Sequence, residues 1–349
     1  MSTNLDTVTP ENDHLDIEST ATTVFDFDYT AARDQLLRLY DKGTRRQWIG
    51  SDRLDWSLDV DLDNPIGMPD EVNPLFGSPW WEKMDDRERG NVRRHFEAWR
   101  FSQFMHGEQG ALLCTAKIVE TVPWIDAKYY AATQVMDEAR HVEVFSKYLD
   151  EKLSGHYPMN AHLGLLLDDI VADSRWDMTY LGMQIMVEGL ALAAFGFIHM
   201  MTTEPLLKKL LRYVMADEAR HVAFGVLSLQ EYYKQLSAPE LRERQEFAFE
   251  AAIRMKDRMA MQEVWERMEV PTADVVKIMR AAPEQDDFQI LLFSKIVPNL
   301  KKLGLLDAAD GWLRTKFTEM GAIAFEHLSD STEEEDAFAD GSPAERQVV

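Results

Sequence analysis

Six consecutive residues of this chain occur twice. Asp137-Glu138-Ala139-Arg140-His141-Val142 returns as Asp217-Glu218-Ala219-Arg220-His221-Val222, and each copy follows a helix-embedded glutamate, Glu108 or Glu188. The interval from the upstream glutamate to the motif glutamate is 30 residues in both halves, and the halves are offset by 80 residues. Residues three apart share a helix face, so each Glu-x-x-His step presents a carboxylate and an imidazole side by side. The pattern predicts two helical hairpins, each with a glutamate on its first helix and Glu-x-x-His on its second.

Apolar periodicity supports those hairpins. A helix from Asp85 to about Glu120 carries Glu108, Thr121-Val122-Pro123 breaks the chain, and Trp124 to about Leu153 carries Glu138 and His141 before Gly155. A shorter helix near Ala161 to Ala172 precedes the repeat of the pattern. Trp176 to about Met201 then carries Glu188, and Pro205 to about Gln235 carries Glu218 and His221, with Thr203 read as the cap. An earlier helix is expected from about Tyr29 to Lys42, followed by irregular chain from Trp48 to Trp81. Later helices fit Pro239 to Met268, Asp286 to Leu303 and Asp310 to Leu328.

No alternating strand runs and no low-complexity linker interrupt this series. The expected fold is all-α: a four-helix bundle over about 85–236 inside a single helical domain spanning 28–328, with additional flanking helices. Those helices can shape a cavity, cover the bundle or form a homodimer surface.

The net charge of −24 is concentrated at the ends. Residues 1–28 carry seven acidic and no basic side chains, and 329–349 carry seven acidic and one basic, so 1–27 and 329–349 read as disordered acidic tails. Basic residues are dispersed, which leaves no footprint for nucleic acid and no polybasic membrane anchor. The single cysteine, Cys114, excludes a disulfide framework or thiolate metal site within the chain and reads as a buried structural thiol. No basic segment and apolar run open the sequence, so a cytoplasmic protein is expected. Leu181 to Met201 is apolar enough for a membrane span, but Glu188 at its middle favours a helix buried among other helices.

Four glutamates and two histidines are the donor set of a two-iron carboxylate site, in which two helices give one Glu each and two give Glu-x-x-His. Carboxylates bridge paired cations, and their four negative charges balance two Fe(II) ions. Metal ligands and catalytic residues are therefore expected at Glu108, Glu138, His141, Glu188, Glu218 and His221. Asp137 and Asp217 can accept the second imidazole N–H of their own or the partner hairpin, with Arg140 and Arg220 balancing their charge. Helical spacing puts Phe104, Leu112, Phe145, Gln184, Leu192, Phe195, Val214 and Gly225 near the ligands as candidates for a largely apolar pocket. Gly225, mid-helix, either leaves room for a ligand or lets two helices approach.

With those residues in place, the chain resembles the ferritin-like superfamily of di-iron carboxylate proteins over about 85–236, especially its oxygenase branch. That branch includes the hydroxylase subunits of methane and toluene monooxygenases and the aromatic amine N-oxygenases. The resemblance implies that Glu108, Glu138 and His141 serve one iron and Glu188, Glu218 and His221 the other, with Glu138 and Glu218 as bridges. It also implies O2 as co-substrate, a small organic substrate that is hydroxylated, N-oxygenated or otherwise oxidised, and an external electron donor such as a ferredoxin or reductase.

Two positions depart from relatives. Phe145 stands where ribonucleotide reductase small subunits have a radical-bearing tyrosine, which disfavours a radical-generating subunit. Leu192 stands where multicomponent monooxygenases have a threonine, which implies another proton route. Iron handling by a ferroxidase is the alternative reading, and the excess length and apolar surroundings argue against it.

Overall fold

The structure is a computed structural model and describes residues 15–30, 32–153, 155–281 and 290–338. The parts of the acidic tails at 1–14 and 339–349, and the first residues of the expected Asp286–Leu303 helix at 286–289, lie outside the described residues. Among the described residues every regular element is helical.

Helix α1, Asp34–Arg45, starts later than the sequence suggests and lies across the second helices of both hairpins. Helix α2, Asp86–Thr121, is 36 residues long. Its start is fixed by a capping box, in which Asp85 accepts from the Glu88 N–H while Glu88 accepts from the Asp85 N–H. Pro123 stops it, and α3, Ile125–Tyr148, returns antiparallel and continues as a wide π turn over Leu149–Leu153. Helix α4, Ala161–Ala172, crosses over to the second hairpin.

Helix α5 spans Trp176–Met201 and is long and apolar enough to cross a membrane; 78% of its apolar window is buried inside the protein, as for the central helix of a bundle. Its middle, Leu181–Val187, is a π-helical segment ending at Glu188. Helix α6, Pro205–Tyr233, completes the bundle. Its cap is Glu204, whose carboxylate accepts from the Leu206 and Leu207 N–H groups at 3.0 and 2.6 Å, and not the expected Thr203. Thr203 instead donates to the Gly67 carbonyl, because the preceding loop packs back on this turn.

The expected Pro239–Met268 helix is broken. Helix α7, Ala238–Asp257, ends in a tight turn at Met261, which adopts a left-handed backbone, before α8, Gln262–Arg267. Further short helices, α9 at Thr272–Ala281, α10 at Val297–Lys302 and α11 at Trp312–Glu319, flank the bundle. Buried apolar residues of bundle and flanks form one continuous core.

Part of each acidic end is held against this body. Glu120 at the end of α2 accepts from Thr23 and Val24, and Asp26 accepts from the Ile125 N–H at 2.9 Å. At the other end α12, Ser331–Glu334, packs on α6, and Asp336 pairs with Lys42 at 2.7 Å and Arg46 at 2.6 Å.

Candidate metal centre

The four bundle helices bring Glu108 from α2, Glu138 and His141 from α3, Glu188 from α5, and Glu218 and His221 from α6 into one buried cluster. Glu108, Glu138, His141 and Glu218 each offer a ligand atom within 4.8 Å of the others, and Glu138, Glu188 and His221 form a second such group. Glu138 belongs to both groups. His141 Nδ1 lies 3.4 Å from Glu138 Oε2 and 3.1 Å from Glu218 Oε1, while His221 Nδ1 lies 3.1 Å from Glu138 Oε1 and 3.4 Å from Glu218 Oε2. Glu138 and Glu218 thus each lie within 3.4 Å of both imidazoles.

The outer imidazole nitrogens are held crosswise. His141 Nε2 is 3.2 Å from Asp217, and His221 Nε2 is 3.3 Å from Asp137, so each hairpin supplies the aspartate for the other's histidine. Donation of Nε2–H to a carboxylate leaves the Nδ1 lone pair directed at the cluster. Both aspartates are buried with both arginines: Arg140 bonds Asp137 and, at 3.2 Å, Asp217, and Arg220 bonds Asp217. Gln47 donates to Asp137 at 2.8 Å and Trp48 to Asp217 at 2.7 Å. Gln134 donates to Glu138 and Glu188, each at 2.9 Å.

The donor set fits two cations. Glu138 Oε2, Glu188 Oε2, both Glu218 oxygens and His221 Nδ1 are buried without a protein hydrogen-bond partner, and such acceptors are costly unless a cation or proton meets them. Burial pushes Glu108 and Glu188 well above the usual carboxylate range, and the neighbouring Glu218 and Glu138 charges respectively add to this. For Asp217 burial is outweighed by the Arg220 charge and the His141 contact, which hold it low. For His141 burial is outweighed by hydrogen bonds to Asp217 and Glu108, which hold it above its ordinary value.

The pocket candidates divide. Phe104, Phe145 and Phe195 form a buried ring cluster, with centroids 4.8 Å apart for Phe104–Phe195 and 5.6 Å for Phe145–Phe195. Leu192 and Val214 are buried one turn from their ligands in the direction of this cluster. Leu112 is only half-buried. Gln184 and Gly225 lie toward the opposite end, and a Cβ on Gly225 would sit 2.6 Å from Gln184 Cβ. Gly225 therefore admits helix α5 and leaves no ligand space.

A cavity of about 100 Å³ opens beyond Phe104, lined by Phe96, Trp99, Phe197, Ile198, Met259 and Arg258, among others. Of the eight pocket candidates only Phe104 lines it. Arg258 is buried, its Nε has no partner, and among the described residues no carboxylate pairs with it. Burial alone brings its guanidinium down to about 10.

Of the residues that support this site, Gln134 had a signal in the sequence, since it lies four residues before Glu138 on the same helix. Gln47, Trp48 and Arg258 had none, because they arrive from distant loops and flanking turns.

The family model described as P-aminobenzoate N-oxygenase AurF matches residues 30–304. Among solved structures, an R2-like ligand-binding oxidase variant with an anaerobically reconstituted Mn/Fe cofactor is similar with a TM-score of 0.50 at 17% identity, covering 79% of this chain and 94% of that one. A second variant of such an oxidase, also with a Mn/Fe cofactor, has a TM-score of 0.48 at 19% identity and covers 80% and 95%. The first of these likenesses shows a shared fold. No curated protein matches the chain significantly.

Proposed function

Because the chain belongs to the P-aminobenzoate N-oxygenase AurF family of di-iron oxygenases, which oxidise small substrates, we propose that it uses O2 to oxygenate a small aromatic acid, with N-oxygenation of an arylamine as the leading reaction. The observation that carries this reading is the crosswise, fully buried set of four glutamates and two histidines. Two iron ions would be held by Glu108, Glu138, His141 and Glu218 on one side and by Glu138, Glu188 and His221 on the other, with Glu138 common to the two groups and Glu218 within reach of both histidines. When bound, the iron pair supplies the reduction of O2 and the transfer of one oxygen atom to the substrate.

The protein's own residues set the conditions for that chemistry. Asp217 and Asp137 hold the imidazoles in one tautomer, and Arg140 and Arg220 hold the aspartates. Phe104, Phe145, Phe195 and Leu192 keep water from the substrate side. The cavity beyond Phe104 is the proposed substrate site: its apolar walls suit an aromatic ring, and Arg258 suits a carboxylate at the far end. A buried guanidinium with no carboxylate partner among the described residues is costly, and a bidentate carboxylate offsets that cost. An acid anchored there directs its other end past Phe104, one turn from Glu108, toward the metal ligands.

A single cysteine and the absence of any cysteine cluster support an external electron donor, a ferredoxin or a reductase. The test is anaerobic Fe(II) loading, metal analysis, and exposure to O2 and a reductant with p-aminobenzoate and related aryl acids. About two metal ions per chain and an oxygenated amine are expected. Metal accumulation far beyond that, with no substrate oxidation, would sink the reading in favour of iron handling. Loading with Mn(II) as well as Fe(II) decides whether the pair is Fe/Fe or Mn/Fe.

A further inference from the structure

The two directions along the bundle away from the carboxylate cluster differ in kind. Toward Phe104 the neighbours are rings and aliphatic chains. Toward Trp176 buried polar side chains stand among the apolar ones. Gln134 lies four residues before Glu138 and Gln184 four before Glu188; Tyr130 and Tyr180 lie four residues further along the same helices, with Thr115 seven after Glu108 and Ser228 seven after His221. None of the six is more than 1% exposed.

Gln134 Oε1, both amide atoms of Gln184, and the hydroxyls of Tyr130 and Thr115 have no protein partner among the described residues, and the Tyr180 and Ser228 hydroxyls have none beyond each other. Two links between these positions are direct: Gln184 covers Gly225, three residues before Ser228, and Ser228 lies within hydrogen-bond reach of the Tyr180 hydroxyl, while Gln134 donates to Glu138 and Glu188 at the metal centre. The Phe224 ring packs against both Tyr130 and Tyr180, with centroids 4.5 and 5.1 Å away. The run continues outward through the buried, unpartnered Tyr233 hydroxyl, which feels the charge of Asp177. Asp177 pairs with Arg244 at 2.9 Å, and Arg244 with the half-exposed Glu243 at 2.8 Å.

Each buried polar group left without a partner costs about 1–3 kcal/mol, so this many cannot stay unmet. Internal water, which makes about three hydrogen bonds to otherwise unsatisfied groups, is the available partner. We propose that this column holds ordered internal water and carries protons from solvent at the Asp177–Arg244–Glu243 end to the metal centre, with Gln184, Tyr180 and Ser228 as positioning residues. This rests on the oxygenase reading. In each turnover O2 takes two electrons from the external reductase or ferredoxin and two protons from the column; one oxygen atom goes to the substrate and the other leaves as water. Each proton moves by breaking an O–H bond on one water and forming one on the next, and no residue of the column is oxidised. Substrate and protons thus reach the centre from opposite ends.

The first test is a high-resolution crystal structure, in which ordered water should bridge Gln184, Tyr180 and Ser228. The second is single turnover of the Fe(II)-loaded chain with O2, an added reductant and p-aminobenzoate as the probe, in H2O and D2O, for wild type, Gln184→Met and Tyr180→Phe. Tyr180→Phe removes one oxygen atom and tests the column even if Gln184→Met does not fold. The expected result is a rate at least about tenfold lower, a larger solvent isotope effect, and unchanged iron content and KM for the probe. A dry column, or variants with wild-type rate and isotope effect, overturns the proton route while leaving the oxygenase reading intact. A wild-type protein that binds iron but consumes no O2 overturns both.

Discussion

Arg258 sets function against stability in a single side chain. Its guanidinium sits among Phe, Trp and Met side chains with no partner carboxylate among the described residues. Exchanging a buried charge for an apolar side chain of similar length is often neutral or stabilising, so Arg258→Met should leave the unfolding free energy unchanged or raise it by about 1–4 kcal/mol. The same change should weaken binding of an aryl acid by about 2 kcal/mol, roughly 30-fold. Chemical denaturation and equilibrium binding read the two effects separately, and a variant that loses stability without losing acid binding would refute the anchor. Asp217 gives a second residue-scale prediction. Asp217→Asn removes the carboxylate that fixes His141, so affinity for the metal should fall about 10–100-fold with helix content intact. Metal titration followed by circular dichroism checks both halves of that statement.

At the scale of helices, packing of α5 on α6 is decided at Gly225. A methyl group there would meet Gln184 Cβ at 2.6 Å, whereas one at Gly196 on α5 meets nothing within 4 Å. Gly→Ala favours a helix by about 1 kcal/mol, and overpacking costs about 1–3 kcal/mol. Gly196→Ala should therefore stabilise and Gly225→Ala destabilise, a contrast in sign that urea unfolding resolves. Equal effects at the two positions would show that α5 and α6 are not in close contact. This helix pair also marks where sequence reasoning stops. Glu188 and the bounds of α5 follow from an apolar run and a local break. The π segment before Glu188 and the contact at Gly225 depend on which helix lies opposite, and the choice of Glu204 over Thr203 as cap depends on the loop at Gly67 that engages Thr203; no local pattern encodes either. Likewise the six converging residues were legible because a repeated motif carries them, whereas the Arg258 cavity is assembled from α2, α5 and the turn after α7, whose relative placement is a tertiary outcome.

Across the whole molecule, the buried cluster links pH, metal and stability. Glu108 and Glu188 have raised values, so their contribution is full below the ordinary carboxylate range and is lost as pH rises through the raised values. His141 and His221 are also raised and act with the same sign at higher pH. Asp217 and Glu138 are lowered, and their contribution is lost only in strong acid. The metal-free chain should therefore lose thermal stability as pH rises above the ordinary carboxylate range. Metal binds the deprotonated ligands, so its stabilising effect should grow over the same rise in pH, reaching about 2.7 kcal/mol per site at a free concentration 100 times Kd. Anaerobic melting curves with and without Fe(II) test this, and Glu188→Gln should flatten the metal-free slope. A metal-free chain that gains stability with rising pH contradicts the account.

The crosswise pairing of Asp137 with His221 and of Asp217 with His141 bears on how the repeat can be divided. Each hairpin contains a complete copy of the motif, yet neither contains the support for its own imidazole. The two copies are hostages to one another: a fragment holding one hairpin would keep its ligands and lose their aim, and a gene fusion that exchanged one half would have to preserve an aspartate it does not itself need. The chain looks like a duplication, but it can be inherited only as a whole.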